Sequence, residues 1–357
     1  MNLLEELAPY MFDLPPELIA QAPPAVRGAS RLMRLDRQAG LTSLHVFDQL
    51  DELLPPGALV VFNEVRVVPT RLLGRKTASG GALEAFILEP PPPSVPAGPL
   101  DLWCLVHPGR RLKPGAGLMF SRPDGPAALA AEVLEAAPDG RRLIRFHFDG
   151  PPLEILEEVG HVPLPFYIKR PDAPEDRLRY QTVYARTPGA AAAPTAGLHF
   201  SEAMLRRLES GGRPTARLTL KVSAGTFAPL TRAQLESGRL HREHVEVPEK
   251  TAEAARRAKK EGRPVVAVGT TTVRSLEWAA AAAGEVESQE GWVDLFIRPG
   301  YEFKAVDALL TNFHLPGSSL MMLAAALAGR ENILAAYQKA IENGFRFYSY
   351  GDAMLII

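Results

Sequence analysis

The sequence Val265-Val266-Ala267-Val268-Gly269-Thr270-Thr271-Thr272 has the pattern of a buried strand that turns into a helix. Four consecutive apolar residues, most of them β-branched, favour a strand that is covered on both faces. In α/β sheets, ligands bind outside the carboxyl ends of such strands, and glycine lets a ligand approach the backbone. We therefore select Gly269, Thr270 and Thr271 as candidate ligand-binding residues. The alternative is a strand-to-helix turn with a purely structural role.

A similar arrangement follows two further predicted strands. One is Ala308–Phe313, which ends in Asn312-Phe313-His314 and offers an amide and an imidazole. The other is Arg217–Val222, which carries Lys221 on the face opposite Leu220 and leads into Ser223-Ala224-Gly225-Thr226-Phe227. The candidates from these strands are Asn312, His314, Lys221, Gly225 and Thr226. The alternatives are a loop held by side-chain hydrogen bonds and a lysine that reaches solvent.

A loop of small residues leads into another predicted helix: Ala193-Pro194-Thr195-Ala196-Gly197-Leu198-His199-Phe200-Ser201. Ser201 is a suitable N-cap, so Thr195, Gly197 and His199 lie just ahead of a helix N-terminus. Backbone N–H groups at such a terminus are free to meet an anion or a polarised ligand. The loop is a candidate reaction site, and the alternative is an entry turn in which His199 is hydrogen-bonded for structure.

The order of predicted elements indicates two domains. Short β-type runs separated by Gly and Pro turns fill the region from Ala58 to Phe148, which is typical of a small antiparallel barrel or sandwich. From about residue 151, helices and strands alternate as in a layered α/β domain. We predict an α/β multidomain protein, in which residues 1–57 and 151–357 form the catalytic domain and residues 58–150 form an inserted Greek-key β-barrel. The β-type runs are Leu59–Phe62, Val65–Leu73, Leu83–Leu88, Leu102–Val106, Leu118–Phe120, Ala130–Leu134 and Leu143–Phe148.

Composition excludes several classes of protein. The chain has 357 residues, a formal net charge of −1 and one cysteine, Cys104, so a disulfide framework and a cysteine-rich metal site are excluded. Cys104 lies in an apolar run, which predicts burial. No apolar run is long enough to span a membrane, and the acidic residues near Met1 argue against a signal peptide. We therefore predict a cytoplasmic protein. We also predict that it has no metal site, because His241, Glu243 and His244 do not have a zinc-binding spacing.

Basic and aromatic residues provide candidates for binding RNA. Local basic clusters include one around Arg66 and Arg71. Each cluster alone is typical of a solvated surface. If the fold brings the clusters together, they can form a track that binds phosphates. A last predicted strand, Phe345–Tyr350, places Tyr348 where it could stack on a base or pack against a helix. Asp352 follows that strand, and Arg274 lies on the helix after Gly269.

Motifs shared with one known family lie along the whole chain: Phe12–Pro15, Ile19–Gln21, Ser30–Leu32, Val61–Asn63, Arg66–Val67, Gln181–Ala185, Ala193–Phe200, Ala224–Phe227, Val268–Thr271, Thr311–Pro316 and Ser349–Met354. Through these motifs the chain resembles the S-adenosylmethionine:tRNA ribosyltransferase-isomerases of queuosine biosynthesis from end to end. The resemblance implies a monomeric two-domain protein with a Greek-key barrel set into an α/β domain. It also implies transfer of the ribosyl part of S-adenosylmethionine to 7-aminomethyl-7-deazaguanine at the wobble position of a tRNA, giving epoxyqueuosine with release of adenine and methionine. The family usually has a histidine in place of Lys221 and a glycine in place of Ser223.

That chemistry needs an acid and a base but no metal or redox cofactor. The sulfonium acidifies the adjoining ribose carbon, so a base must remove its proton, and adenine must be protonated to leave. We predict His199, Glu243 and His314 as the acid–base groups, with S-adenosylmethionine as cosubstrate. The predicted cosubstrate-binding residues are Thr195, Gly197, Lys221, Gly225, Thr226, Gly269, Thr270, Thr271 and Asn312, and the predicted base- or tRNA-binding residues are Arg66, Arg71, Arg274, Tyr348 and Asp352. The alternatives are a non-catalytic tRNA-binding module and an S-adenosylmethionine-dependent methyltransferase.

Overall fold

The computed structural model describes residues 3–110, 112–123, 125–223 and 230–357. The strands are β1 Arg31–Asp36, β2 Leu41–Val46, β3 Leu59–Asn63, β4 Val65–Val67, β5 Arg71–Lys76, β6 Ala82–Ile87, β7 Gly98–His107, β8 Gly117–Ser121, β9 Ala127–Ala136, β10 Arg141–Phe148, β11 Thr187–Ala190, β12 Thr215–Leu220, β13 Arg239–Val247, β14 Val265–Val268, β15 Gln289–Leu295, β16 Ala308–Asn312 and β17 Ala353–Ile356. The α-helices are α1 Leu3–Leu7, α2 Leu50–Leu53, α3 Pro152–Val159, α4 Asp176–Arg179, α5 Glu202–Ser210, α6 Arg232–Ser237, α7 Glu249–Lys260, α8 Thr270–Ala279, α9 Ser319–Ala328 and α10 Arg330–Glu342. Short 3₁₀ helices cover Ala8–Tyr10, Pro16–Leu18, Phe47–Gln49 and Thr195–His199.

Nine of the described strands form one mixed sheet in the order β15-β13-β12-β3-β14-β16-β17-β1-β2. The central strands β12, β3, β14 and β16 run parallel to one another. Strands β3, β14 and β16 are buried along their whole length. A strand covered on both faces needs apolar side chains in both directions, which the sequence of β14 supplies. The predicted layered α/β fold is confirmed.

Alternate residues of β14 enter two different cores, one on each face of the sheet. Val265 and Ala267 belong to a core that helices α7, α8, α9 and α10 cover. Val266 and Val268 belong to a second core that α2 and α5 help to close. The two-residue period of a strand therefore directs neighbouring side chains to opposite helical layers.

The second β structure is a closed antiparallel barrel with the strand order β10-β7-β6-β5-β8-β9. Its core alternates along the strands, as in β10, where Ile144 and Phe146 are buried and Arg145 is not. Cys104 is buried in this core, as predicted. Helix α3 closes one side, since Leu156 and Val159 pack into the same core. The predicted small antiparallel barrel is confirmed.

One β-type run that we assigned to the barrel, Leu59–Phe62, and the first part of a second, Val65–Leu73, lie outside it. Strand β3 is in the middle of the nine-stranded sheet, between β12 and β14, and β4 pairs with β11. The assignment was wrong because apolar, β-branched runs look the same in sequence whichever sheet they join. The division of the chain into domains at residues 58 and 150 stays a prediction, although the barrel strands themselves run only from Arg71 to Phe148.

Elsewhere the elements follow the sequence with one clear exception. The apolar run after Ser318 forms helix α9, and the polar segment around Glu243 is strand β13. The predicted last strand Phe345–Tyr350 is wrong: Phe347 makes only an isolated bridge with Ile19, and the final strand is β17. Within the described ranges no single helix is long and apolar enough to cross a membrane, and the pair α9 and α10, bent by 114°, passes that test by length and composition only.

Candidate active site

A cavity of about 540 Å³ lies at the carboxyl ends of the parallel strands β14 and β16. This is the edge at which open α/β sheets bind ligands, and the volume is within the range of small-molecule sites. Apolar residues contribute most of the wall, and polar groups come from the loops that follow the two strands. The lining residues are Leu7, Met11, Phe166, Tyr167, 193–196, Val222, Leu230, 269–271, 311–320, Tyr348 and Ser349.

The predicted turn after β14 borders this cavity. Gly269 has a φ of 86°, in the region that side chains disfavour, and its N–H donates to the carbonyl oxygen of Leu310 over 2.8 Å. Thr270 and Thr271 line the cavity as the first residues of α8. No side chain caps this helix, so N–H groups of its first turn are free of intrahelical partners at the wall.

A second helix, α9, also begins at the cavity wall. Ser318 caps α9 by accepting a hydrogen bond from the Met321 N–H over 3.2 Å, and Ser318, Ser319 and Leu320 line the cavity. The N-termini of α8 and α9 therefore border the same space. Because each helix N-terminus carries a partial positive charge, the two together favour a carboxylate or another anionic group there.

Thr195 and Asn312 form one polar wall of the cavity. The Thr195 hydroxyl donates to Asn312 Oδ1 over 2.9 Å, and both residues line the cavity as predicted. Gly197 does not line it. A Cβ atom at that position would collide with the hydroxyl of Tyr184, so Gly197 is needed for close packing.

His199 lies behind this wall and is not among the residues that line the cavity. It is only 5% exposed and stacks on Phe47 with 5.0 Å between ring centroids. Burial lowers the pKa of His199 to about 4. Nδ1 is 2.6 Å from Ser30 Oγ, and Nε2 is 3.0 Å from Asn312 Nδ2. Both ring nitrogens are thus engaged by protein side chains.

His314 is the predicted acid–base residue that lines the cavity. Its Nε2 is 2.8 Å from Thr311 Oγ1, and its backbone N–H donates to the Tyr337 hydroxyl over 2.9 Å. Burial lowers the pKa of His314 to about 3, so the ring is neutral near pH 7. A neutral imidazole at the wall can accept a proton or donate a hydrogen bond.

Glu243 and Arg274 form a buried ion pair and are not among the residues that line the cavity. They are 2% and 6% exposed, and Arg274 also donates to the carbonyl oxygen of Leu295 over 3.1 Å. Glu243 accepts a hydrogen bond from the Ser223 N–H over 3.0 Å. The next predicted site residues, Gly225 and Thr226, lie outside the described residues.

Lys221 is beside the cavity without lining it, although its neighbour Val222 does. Its side-chain carbons lie against Gly189, where an added Cβ would be 3.1 Å from the Lys221 Cδ. The Lys221 N–H donates to the carbonyl oxygen of His244 over 2.9 Å, which ties the end of β12 to β13. Its predicted role in binding the cosubstrate stays a prediction.

Tyr348 lines the cavity in an unusual backbone conformation. Its φ is 70°, a value that residues other than glycine rarely adopt, and such backbone strain costs about 1–3 kcal/mol. Its ring packs against that of Tyr167 with 4.6 Å between centroids. The Tyr348 N–H donates to the Phe313 carbonyl oxygen over 3.0 Å, which fixes this segment beside β16. The surrounding structure thus holds an aromatic pair at the wall.

Three further predicted residues, in addition to Arg274, do not reach the cavity. Asp352 accepts the Arg31 N–H at 2.9 Å and the Arg346 N–H at 2.8 Å, so it joins two chain segments. Arg66 pairs with Glu157 at 2.5 Å. Arg71 pairs with Glu84 at 2.8 Å. The partners of these three residues are brought close by the fold, so the local sequence does not reveal them.

Sequence reasoning missed several lining residues. Phe166 is 68% exposed at the cavity and packs edge-on against Tyr167. Tyr167 and Ser349 are hydrogen-bonded through their hydroxyls. Met11 arrives from the N-terminal segment. Only Ser349 had a signal, since it belongs to one of the motifs that carry the family resemblance. Among the described residues, no cluster of three or more His, Cys, Asp or Glu side chains could hold a metal ion.

Comparison with known proteins identifies the family. Residues 7–356 match the family described as queuosine biosynthesis protein. The chain belongs to this family. A protein of Nitratidesulfovibrio vulgaris is 47% identical over 365 residues, covering 98% of this chain and 97% of its own length. A protein of Heliobacterium modesticaldum is 46% identical over 354 residues, with coverages of 99% and 100%. Both relatives are named S-adenosylmethionine:tRNA ribosyltransferase-isomerase.

A solved member of the family has a similar structure. The crystal structure of the S-adenosylmethionine tRNA ribosyltransferase of Thermotoga maritima is 34% identical to this chain and aligns with a TM-score of 0.54. The alignment covers 98% of this chain and 100% of that one. The family and the arrangement of barrel and sheet are thus supported over essentially the whole sequence.

Proposed function

We propose that this chain transfers and isomerises the ribosyl part of S-adenosylmethionine onto 7-aminomethyl-7-deazaguanine at the wobble position of a tRNA, giving epoxyqueuosine, adenine and methionine. The observation that carries the proposal is the near-full-length similarity to relatives that are named for this transfer and isomerisation. The alignments cover 97% and 100% of the length of those relatives.

The cavity supports this proposal through its size and polarity. A space of about 540 Å³ is suited to a ligand of the size of S-adenosylmethionine. In the proposal, the N-termini of α8 and α9 favour the methionine carboxylate, with Gly269, Thr270 and Thr271 at one wall. Asn312 and Thr195 provide polar contacts at the other wall. Lys221 would pair with the carboxylate if its ammonium turns towards the cavity.

We assign proton transfer to His314 among the three predicted acid–base residues, because it lines the cavity. The other two are engaged elsewhere, Glu243 by Arg274 and His199 by Ser30 and Asn312. Near pH 7 His314 is neutral. To accept the proton that the sulfonium makes acidic, its low pKa must rise when the cosubstrate binds, which the nearby methionine carboxylate would bring about. The aromatic pair Tyr167 and Tyr348 provides a surface on which a base can stack.

The partners follow from the same proposal. The nucleic acid is a tRNA with the deazaguanine at its wobble position, and S-adenosylmethionine is consumed as a cosubstrate without a further cofactor. Phosphate contacts would fall to cationic side chains other than Arg66 and Arg71, since these two are ion-paired. The exposed Arg110, Lys113 and Lys169 are candidates. The monomeric state and the cytoplasmic location stay predictions.

One chromatographic assay separates the candidate functions. The protein is incubated with S-adenosylmethionine and a tRNA carrying 7-aminomethyl-7-deazaguanine, and the small-molecule products are resolved. The proposal expects adenine and methionine in equal amounts to the modified tRNA. S-adenosylhomocysteine would identify a methyltransferase, and bound tRNA without any product would identify a binding module. An identical reaction with an unmodified guanine tRNA is the matched control.

A further inference from the structure

A chain of four polar side chains runs from the interior to the cavity wall. It consists of Ser30, His199, Asn312 and Thr195, joined by contacts of 2.6, 3.0 and 2.9 Å in that order. Ser30 and His199 are buried behind the wall, whereas Asn312 and Thr195 line the cavity. The four residues come from three separate parts of the sequence, since Thr195 and His199 lie on the same short 3₁₀ helix, and the folded chain brings these parts together.

The chain of contacts determines which nitrogen of His199 carries the proton. With Asn312 Oδ1 accepting the Thr195 hydroxyl, Asn312 Nδ2 donates to His199 Nε2, which is then unprotonated. The single proton of the neutral ring is then on Nδ1, which donates to Ser30 Oγ. A charged ring would place a second N–H against the amide N–H of Asn312, so this geometry is incompatible with protonated His199.

The same contacts hold the amide of Asn312 in one orientation. Its Oδ1 accepts the Thr195 hydroxyl, and one hydrogen of Nδ2 is directed to His199. The second hydrogen of Nδ2 has no acceptor among the described residues. Since Asn312 lines the cavity, this hydrogen is available to an oxygen or nitrogen acceptor of a bound ligand.

We propose that His199 is a positioning residue, which fixes the Asn312 amide so that its remaining N–H donates to an acceptor atom of the nucleoside cosubstrate. The identity of that cosubstrate as S-adenosylmethionine rests on the proposed function. His199 therefore exchanges no proton with the substrate, because Asn312 and both engaged ring nitrogens separate it from the cavity. This role differs from the acid–base role that its position ahead of a helix suggests.

The first test uses steady-state adenine release with saturating tRNA and variable S-adenosylmethionine. His199→Ala removes the acceptor for Asn312, and we expect the KM for S-adenosylmethionine to rise about tenfold, the effect of losing one hydrogen bond. His199→Gln retains an acceptor in the region of Nε2, and we expect it to recover most of that loss. His147→Gln, on the exposed side of barrel strand β10, is the matched control and leaves the kinetics unchanged.

A double-mutant cycle distinguishes positioning from an independent structural effect. If His199 acts through Asn312, then His199→Ala combined with Asn312→Ala has the same KM as Asn312→Ala alone. Additive increases in KM would overturn the proposal. So would a loss of a hundredfold or more in kcat in both His199→Ala and His199→Gln, since that is the scale of a lost general acid or base.

A measurement that needs no turnover keeps the inference separate from the proposed function. Nitrogen-15 NMR of the imidazole rings, with His199 assigned from its missing signals in His199→Gln, reports the tautomer directly. We expect a neutral ring with the proton on Nδ1 at every pH between 5 and 8. A ring that titrates near pH 6.5, or one with the proton on Nε2, refutes the positioning role even if the enzyme releases adenine. Failure of wild-type adenine release with the expected tautomer refutes only the proposed function.

Discussion

The barrel region has ion pairs that are open to solvent, whereas the nine-stranded sheet and the elements packed on it bury an ion pair and two histidines. In the barrel region, Arg122 and Glu158 are 2.8 Å apart and both are about half exposed. In the sheet, Glu243 and Arg274 are almost completely buried, and so are His199 and His314. Taking such groups out of water is unfavourable unless each has a partner. Holding these groups in place therefore costs free energy of folding on the side of the molecule that carries the cavity.

The backbone conformation also differs between the barrel and the edge of the sheet at the cavity. Described barrel strands follow the alternation of buried and exposed residues, as β10 does. Beside the cavity, the non-glycine residue Tyr348 has a φ of 70°, whereas the positive φ values in the barrel region fall on glycines such as Gly80, Gly115 and Gly140. Strained conformations persist only where the surroundings enforce them, and they are concentrated at functional sites. The comparison indicates that the barrel is a regular support and that the sheet edge is the specialised part.

The largest expected effect comes from separating the two regions. Deleting residues 70–159 removes the barrel together with α3, which packs into its core. Pro69 and Gly160 are adjacent, since a Cβ on Gly160 would collide with the Pro69 carbonyl oxygen, so a short glycine linker can join them. We expect the remaining chain to fold as an α/β domain. Circular dichroism should show a cooperative transition when it is unfolded with urea.

A deletion of residues 58–148 is the matched control, because it follows the boundary that the sequence predicted. It also removes β3, the strand between β12 and β14, and we expect no cooperative transition. If the two deletions unfold alike, the barrel and the sheet are one cooperative unit and the comparison fails.

The next effect concerns the buried ion pair. Glu243→Gln leaves the guanidinium of Arg274 buried without a counter-charge, and we expect the free energy of unfolding to fall by about 3–5 kcal/mol. The measurement is urea unfolding at pH 7. Adding Arg274→Met should restore part of the loss, since it removes the uncompensated charge.

The same substitution at the barrel is the control. Glu158→Gln breaks a solvent-exposed pair with Arg122, and we expect a loss below about 1 kcal/mol. Equal losses in Glu243→Gln and Glu158→Gln would contradict the difference between the two regions.

A smaller effect should appear when the pH is lowered. Burial lowers the pKa of His199 to about 4 and that of His314 to about 3, whereas an unfolded histidine titrates near 6.5. Between these values the unfolded chain binds more protons, so the stability that is present above pH 6.5 is lost as the pH falls towards 4. Each histidine contributes at most about 1.4 kcal/mol per pH unit.

The contribution of one histidine can be isolated by substitution. We expect wild type to lose more unfolding free energy than His199→Gln between pH 6.0 and pH 5.0, measured by urea unfolding. The exposed His147 provides the reference, and His147→Gln should follow wild type. Identical pH dependence in all three proteins would mean that His199 is protonated in the folded state.

Local sequence was sufficient for the elements whose signals are short-range. The buried run of β14, the glycine that ends it and the apolar helix α9 were all predictable, because strand and helix periodicity and the glycine turn depend on neighbouring residues. For the same reason Thr270, Thr271 and Asn312 could be selected as residues at the carboxyl ends of strands, and all three line the cavity.

Tertiary structure alone decided the roles that depend on distant partners. His199 and His314 look equivalent in sequence, but His199 is directed away from the cavity by Ser30, 169 residues away, and by Asn312, 113 residues away. Likewise β3 has a strand sequence that fits either β structure, and its place between β12 and β14 is set by hydrogen bonds to strands more than a hundred residues later. Periodicity predicts which face of its own strand or helix a residue lies on. Burial and strand pairing depend on which distant segments of the chain pack against that strand or helix.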